Sequence, residues 1–258
     1  MRVLLIDCES TGLDPKNARV TELGAMLVDS KWQELAGMNE LVWESGYPAI
    51  TPEVTKVTGI TQDMLSKDGV SFKEALTHLD QLADSVDYIV AFNAAYDEEL
   101  LKAEIARHPE VQSMGIAKLL LSKPWLCAMS DLEKNYEFKS WRLMHVALEY
   151  GVTVNPKLLH RAIADVELMR QMLEASGYTI QQMNEFHVEP WIYVEADVKK
   201  PWLDGGESAA LAKQLGYAWE RARGDQSGRA FDKKWIKRIK TRNIEQELNQ
   251  PIKVRRIT

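Results

Sequence analysis

Four apolar residues in a row, Val3-Leu4-Leu5-Ile6, run into an acid and a polar turn, which predicts a buried strand over Arg2–Cys8. Thr11-Gly12-Leu13-Asp14-Pro15 is a turn signal. Leu23, Ala25 and Leu27 nearly alternate with their neighbours, so a second strand is expected over Val20–Ser30 and a third over Trp32–Trp43. Three short strands in succession suggest a meander. The period then changes. Phe72, Ala75, Leu76, Leu79 and Leu82 keep the i, i+3, i+4 rhythm of a helix over Ser71–Ala83. Asp87–Phe92 reads as a fourth strand, followed by a helix over Asp97–Arg107. Further helices are expected over Trp141–Tyr150, ended by Gly151, and over Ala162–Ala175, ended near Gly177. Strands first, then alternating strands and helices, give an α/β layer with a mixed sheet.

From about Thr179 the composition shifts. Trp191, Trp202, Trp219 and Trp235 are four of the eight tryptophans. Glu207–Tyr217 reads as a helix, whereas Phe231–Thr241 fits a strand or a helix equally. Residues 179–190 read as a linker between a domain over 1–178 and a small α+β module over 191–258. Charge divides in the same place. The net charge is −6, but residues 1–179 carry 17 basic and 27 acidic side chains, and residues 221–258 carry 12 and 4. An acidic body with a basic end fits acids that hold cations and a tail that meets a polyanion; a solvated basic helix with no partner fits the charges equally.

The 258 residues suit one large domain, or a medium one with a small companion. With 45% hydrophobic and 27% charged residues, the chain reads as an ordinary soluble protein. It has no apolar run long enough to span a membrane and no cleavage pattern at its start. Two cysteines, Cys8 and Cys127, argue against a disulfide scaffold and fit a cytoplasmic location.

Candidate chemistry lies at the element ends. Asp7 and Glu9 are two apart at the end of the first strand, so both carboxylates face one side and Cys8 faces the other. Such a pair is tolerable in solvent, or with a hard cation between the two acids. Asp97 follows the fourth strand, in the first turn of the next helix, where an acid is also favourable for the helix itself. Its neighbours Glu98 and Glu99 are not separated from it by position alone. His160 and Asp165 would stand about 140° apart on one helix, but share a cleft if His160 precedes that helix. Three segments each bring acids to an element end, and open α/β sheets place their sites there. Four carboxylates suffice for two divalent ions.

The motifs now become specific. Asp7-Cys8-Glu9-Ser10-Thr11-Gly12 resembles the D-x-E-[ST]-T-G opening of the DnaQ-like, or DEDDh, exonuclease superfamily. Asn93-Ala94-Ala95-Tyr96-Asp97 resembles its N-x-x-[FY]-D motif, and His160, Ala162 and Asp165 match its H-x-A-x-x-D motif. Thr58-Gly59-Ile60-Thr61 resembles its H-G-I-T segment. Order and spacing agree over about residues 1–175. The resemblance implies a ribonuclease H-like mixed β-sheet flanked by helices, and a metal-dependent 3′–5′ exonuclease. It implies that Asp7, Glu9, Asp97 and Asp165 hold two Mg²⁺ or Mn²⁺ ions, and that His160 takes a proton from the attacking water. It also implies that Ser10, Thr11, Gly12 and Leu13 line the terminal nucleotide, together with Ile60 and Asn93. Two departures, Thr58 for the usual His and Phe92 for the His before the Asn, bear on how that nucleotide is held.

In the C-terminal module, aromatics interleave with bases in a candidate nucleic-acid patch of Arg221, Arg223, Lys233, Lys234, Trp235, Lys237 and Arg238. The alternatives are tryptophans that serve as core, and a docking surface for a protein partner. DNA is the favoured substrate, RNA the alternative, and an inactive nucleic-acid-binding fold the third reading; no membrane partner is expected, and the sequence is silent on oligomeric state.

Overall fold

The computed structural model describes residues 1–83, 85–132, 140–155, 160–199, 201–221 and 233–257, with backbone only at 201, 202, 220, 221 and 233. The chain forms two compact units, Met1–His187 and Val188–Thr258.

The first unit is built on strands β1 (Arg2–Ser10), β2 (Val20–Asp29) and β3 (Glu34–Leu41), the expected meander. Two short strands, β4 (Tyr88–Ala91) and β5 (Trp125–Cys127), complete a sheet in the order β3-β2-β1-β4-β5. The first three strands are antiparallel, and β4 and β5 run parallel to β1, so the sheet is mixed as expected. Around it lie α1 (Pro52–Thr58), α2 (Gln62–Asp68), α3 (Phe72–Leu82), α4 (Ala94–Arg107), α5 (Gly115–Ser122), α6 (Leu143–Glu149), α7 (Ala162–Ser176) and α8 (Ile180–Val188).

The period of two along β1 divides the core between the two faces of the sheet. Leu4, Ile6 and Cys8 pack with α3, α4 and α5, whereas Val3 and Leu5 pack with α6, α7 and α8. Asp7 and Glu9 continue the second set, so both carboxylates come out on the α7 side. Helix starts follow local chemistry. The hydroxyls of Thr51, Thr61 and Ser71 accept the amides of Val54, Met64 and Glu74, capping α1, α2 and α3.

The linker expected over 179–190 is corrected. The Thr179 hydroxyl accepts the Gln182 amide and starts α8, whose Ile180 and Met183 are fully buried in the core beside α7. Helices α1 and α2 and strand β5 were not expected either. They are too short to show a period, and three residues after a proline carry little strand signal.

The second unit contains β6 (Trp191–Ala196), α9 (Pro201–Asp204), α10 (Glu207–Gln214), β7 (Ala218–Arg221), β8 (Lys233–Lys240), α11 (Ile244–Leu248) and β9 (Val254–Ile257). The ambiguity over Phe231–Thr241 resolves to a strand, with Phe231 itself outside the described residues. Its sheet runs β7-β8-β6-β9, antiparallel throughout. Among the described residues, no helix is long and apolar enough to cross a membrane.

Candidate metal centre and nucleotide groove

Three of the four expected ligands meet. Asp7 and Glu9 at the end of β1 and Asp165 in the first turn of α7 present carboxylate oxygens within 4.8 Å of one another. All-oxygen, all-acidic donors at that spacing fit a hard divalent cation such as Mg²⁺ or Mn²⁺. Asp97 comes from the opposite side of β1. It is buried in the first turn of α4, and its Oδ1 accepts the Cys8 amide at 3.0 Å. That bond ties α4 to the β1 residue between Asp7 and Glu9. Glu98 and Glu99, which sequence position could not separate from Asp97, turn outward and pair with Lys102 and Lys16.

The cluster is electrostatically strained. Burial, and then the charges of Asp97, Asp165 and Glu9, push the Asp7 carboxyl well above the usual range. Burial, with Asp165 and Glu22 next, takes Glu9 up to about 8. Burial takes Asp97 up to about 7 against the hydrogen bonds that it accepts, and burial raises Asp165 too. Four acids that resist ionisation together form a site that gains by binding a cation.

His160 lies in the loop before α7, with an exposed side chain and φ of 63°. This left-handed backbone is uncommon outside glycine, although histidine tolerates it better than bulky residues do. The turn brings the His160 amide to Asp165 Oδ2 at 3.2 Å and starts α7 two residues later.

A second set of residues, which the sequence reading missed, seats α7 on the sheet. Glu22 on β2 is fully buried and is the Cα partner of Glu9. It accepts two bonds from the Arg161 guanidinium, at 2.7 and 3.0 Å to Oε1, and the Ala162 amide at 3.0 Å to Oε2. Asn39 on β3 donates to Glu22 at 2.8 Å and accepts the Ile163 amide at 3.2 Å. Two side chains of the sheet thus satisfy the first free amides of the helix that carries Asp165. Gly24, the partner of Asp7, lets that helix come close: a Cβ there would lie 2.5 Å from Ala162 C and Ile163 N. An acid and a glycine inside an otherwise apolar strand are the signal that could have revealed this arrangement.

Beside the acids, a groove of about 320 Å³ runs between the β1–β2 loop and α1. Ser10, Gly12 and Leu13 form one wall, and Val54, Val57 and Thr58 the other. Leu13 is 96% exposed, with nothing of the fold covering it. The Tyr96 hydroxyl bonds both Ser10 Oγ and the Gly12 carbonyl, which holds that loop to α4. Farther along, buried Glu104 receives Arg19 through two nitrogens and the Tyr47 hydroxyl at 2.6 Å.

Other expectations fare differently. Ile60 is fully buried and does not line the groove, so its expected contact with the nucleotide is corrected: the apolar side chains on that side are Val54 and Val57. The Thr11 hydroxyl turns back to accept the Arg19 amide, and Asn93 is exposed at the start of α4. Thr58 spends its hydroxyl within α1, donating to the Val54 carbonyl and accepting the Ile60 amide.

The basic patch does not form one surface. Lys234 and Arg238 lie on one face of β8, and Trp235 and Lys237 on the other. Trp235 packs on the core of the second unit, and Lys237 pairs with Glu247 at 2.9 Å. Arg221 and Lys233 lie on β7 and β8, with side chains outside the description, and Arg223 is outside the described residues.

A family model described as "Exonuclease" (RNase_T) matches residues 4–173. The chain is 29% identical over 173 residues to the DNA polymerase III subunit epsilon of Treponema pallidum (strain Nichols), covering 64% of this chain and 72% of that one. It is 27% identical over 179 residues to a PolC-type DNA polymerase III of Mycoplasmopsis pulmonis (strain UAB CTIP), covering 64% of this chain and only 11% of the polymerase. Among solved structures it is similar to exonuclease I, with a TM-score of 0.59 and 16% identity, covering 76% of this chain and 48% of that one. It is also similar to E. coli exonuclease I in complex with a dA16 oligonucleotide, with a TM-score of 0.58 and 14% identity, covering 93% of this chain and 63% of that one. These likenesses show the ribonuclease H-like exonuclease fold.

Proposed function

The chain belongs to the DnaQ-like exonuclease family, and on that premise we propose that it is a metal-dependent enzyme removing nucleoside 5′-monophosphates from the 3′ end of DNA, at single-stranded or frayed ends. The observation that carries the reading is the convergence of Asp7, Glu9 and Asp165 within 4.8 Å beside an open, partly apolar groove. The likeness to a polymerase III subunit epsilon supports DNA over RNA.

Asp7, Glu9 and Asp165 would hold Mg²⁺ or Mn²⁺, and Asp97, one bond away through the Cys8 amide, would complete the charge for a second ion. When bound, the ions supply activation of a water and compensation of charge on the phosphate. The terminal nucleotide lies in the groove, its base against Leu13 and the α1 valines, its sugar end near Ser10 and Gly12. His160 accepts the proton of the attacking water from the open side of α7, where its exposed ring has room to move.

The test is a time course on 5′-labelled single-stranded DNA and RNA of one sequence, with Mg²⁺ or with EDTA. A ladder that shortens from the 3′ end, faster on DNA and absent in EDTA, is expected. No degradation of either by the folded protein would overturn the reading. In the same assay His160→Ala is expected to lose ~10²–10⁴-fold in rate. Its affinity for Mn²⁺ by calorimetry should stay near the parent's, and the acid limb of its pH–rate profile should flatten. A parental pH profile in that variant would remove His160 from the proton transfer.

A further inference from the structure

The second unit has the order β6-α9-α10-β7-β8-α11-β9 along the chain and β7-β8-β6-β9 across the sheet, a split β-α-β layout. Its core lies on one side. Ile192, Val194 and Ala196 of β6 pack with Ile239 of β8 under Leu211 and Ala212 of α10 and Leu215 just after it. The alternate residues therefore stand on the opposite face. Register sets Trp191 across from Lys240, Tyr193 across from Arg238, and Glu195 across from both Ile236 and Arg255.

That face combines rings and cations. The Arg238 guanidinium stacks over Trp191 at 4.4 Å, and Arg238 is exposed. Tyr193 is half-buried and two residues from Trp191, so the two Cα atoms stand roughly 7 Å apart along the strand, on one face. Glu195 is shared by Lys234 at 3.3 Å and Arg255 at 3.1 Å, and Asp197 lines the same hollow as Arg255, so Lys234, Arg238, Lys240 and Arg255 still outnumber these two acids and the face stays positive. Ile236 and Lys240 of this face are buried, and the Lys240 ammonium also lies over Trp191 at 4.4 Å, whereas Arg238 is exposed and Tyr193 and Lys234 are half-buried.

We propose that this face of the β6–β8 strand pair binds single-stranded DNA. Bases would stack on Tyr193 and on the Trp191–Arg238 pair, and phosphates would lie along Lys234, Arg238 and Arg255. Base-stacking aromatics on the central strands of a sheet with this layout, with cations beside them, suit a polymer that offers a π-face and a negative charge at each repeat. The surface differs from the patch read along the sequence: it gains Trp191, Tyr193 and Arg255, and it loses Trp235 and Lys237 to the other face.

The choice of DNA rests on the exonuclease reading, so the test measures binding without cleavage. Full-length protein in EDTA is titrated against 5′-fluorescein dT20 and its RNA counterpart, followed by anisotropy across a salt series. Tyr193→Ala is expected to weaken dT20 binding about 10-fold. Arg238→Gln should reduce the slope of log affinity against log salt by about one phosphate contact. Tyr193→Phe, which keeps the ring, should bind like the parent. Hydrolysis of thymidine 5′-monophosphate p-nitrophenyl ester, which fills only the groove of the first unit, should be unchanged in all three with Mg²⁺. Parental affinity and salt slope in both Tyr193→Ala and Arg238→Gln would overturn the proposal. So would equal losses in Tyr193→Ala and Tyr193→Phe, or a parent that binds only RNA. A protein that binds dT20 through this face yet degrades nothing would defeat the exonuclease reading alone.

Discussion

Asp7→Asn is expected to lower exonuclease turnover by more than ~10³-fold while the protein stays folded. Glu9 and Asp165 share the ion site with Asp7, and the charge of Asp97 acts on it as well. Asparagine has the same shape without the charge, so the loss reports on cation binding. The same substitution has an opposite effect on stability. In the folded, metal-free protein Asp97 titrates at about 7 and Glu9 at about 8, and Asp7 also lies well above the usual range. The unfolded chain releases these protons near about 4. Between those limits the folded state binds more protons than the unfolded one, so this contribution to stability is present at low pH and is lost as pH rises toward 8. At pH 8.5 in EDTA, Asp7→Asn should therefore melt above the parent, and at pH 5 the gap should shrink. Mg²⁺ should raise the parent's melting temperature more than the variant's. A variant that melts below the parent at pH 8.5 would show that the acids are not held against their mutual repulsion. One that keeps parental turnover would remove Asp7 from the ion site.

Gly24→Ala is the second large effect, and it acts without touching any acid. The added methyl would meet the backbone of Ala162 and Ile163 at 2.5 Å, so the first turn of α7 has to move, and Asp165 moves with it. That turn cannot yield freely, because Glu22 and Asn39 hold its amides and Arg161. Overpacking of this kind costs about 1–3 kcal/mol of stability. A shifted ligand costs about 10–100-fold in metal affinity or activity. Thermal melts and Mn²⁺ calorimetry measure the two separately. Gly37→Ala is the control, since a Cβ there meets only ordinary contacts at 3.5 Å or more. Parental Mn²⁺ affinity in Gly24→Ala would mean that the seat of α7 does not set the position of Asp165.

How much of this was legible beforehand depends on the range of the forces involved. Val3-Leu4-Leu5-Ile6 reads as a buried strand, and a strand's period of two sets Asp7 and Glu9 on one side and Cys8 on the other without any tertiary contact. The helix over Phe72–Leu82 was equally plain from its apolar rhythm. Along the chain, backbone geometry alone relates neighbouring side chains, so such features need no partner. The helix over 180–188 is different. Its apolar side became evident only once the surface of α7 and Trp32 was there to receive Ile180 and Met183. The interleaved cations and the tryptophan of β8 looked like one patch until strand pairing divided them between the two faces of the sheet. Ile60 looked like a groove residue until packing placed it inside. Glu22, Gly24 and Asn39 carry no motif, because their role is to let two backbones distant in sequence approach and to satisfy the amides at that approach. Spacing along the chain settles which residues share a strand face and which acids stand at element ends. Tertiary structure decided which of those acids meet and what seats them, because desolvation and close packing act only between surfaces that the fold has already brought together.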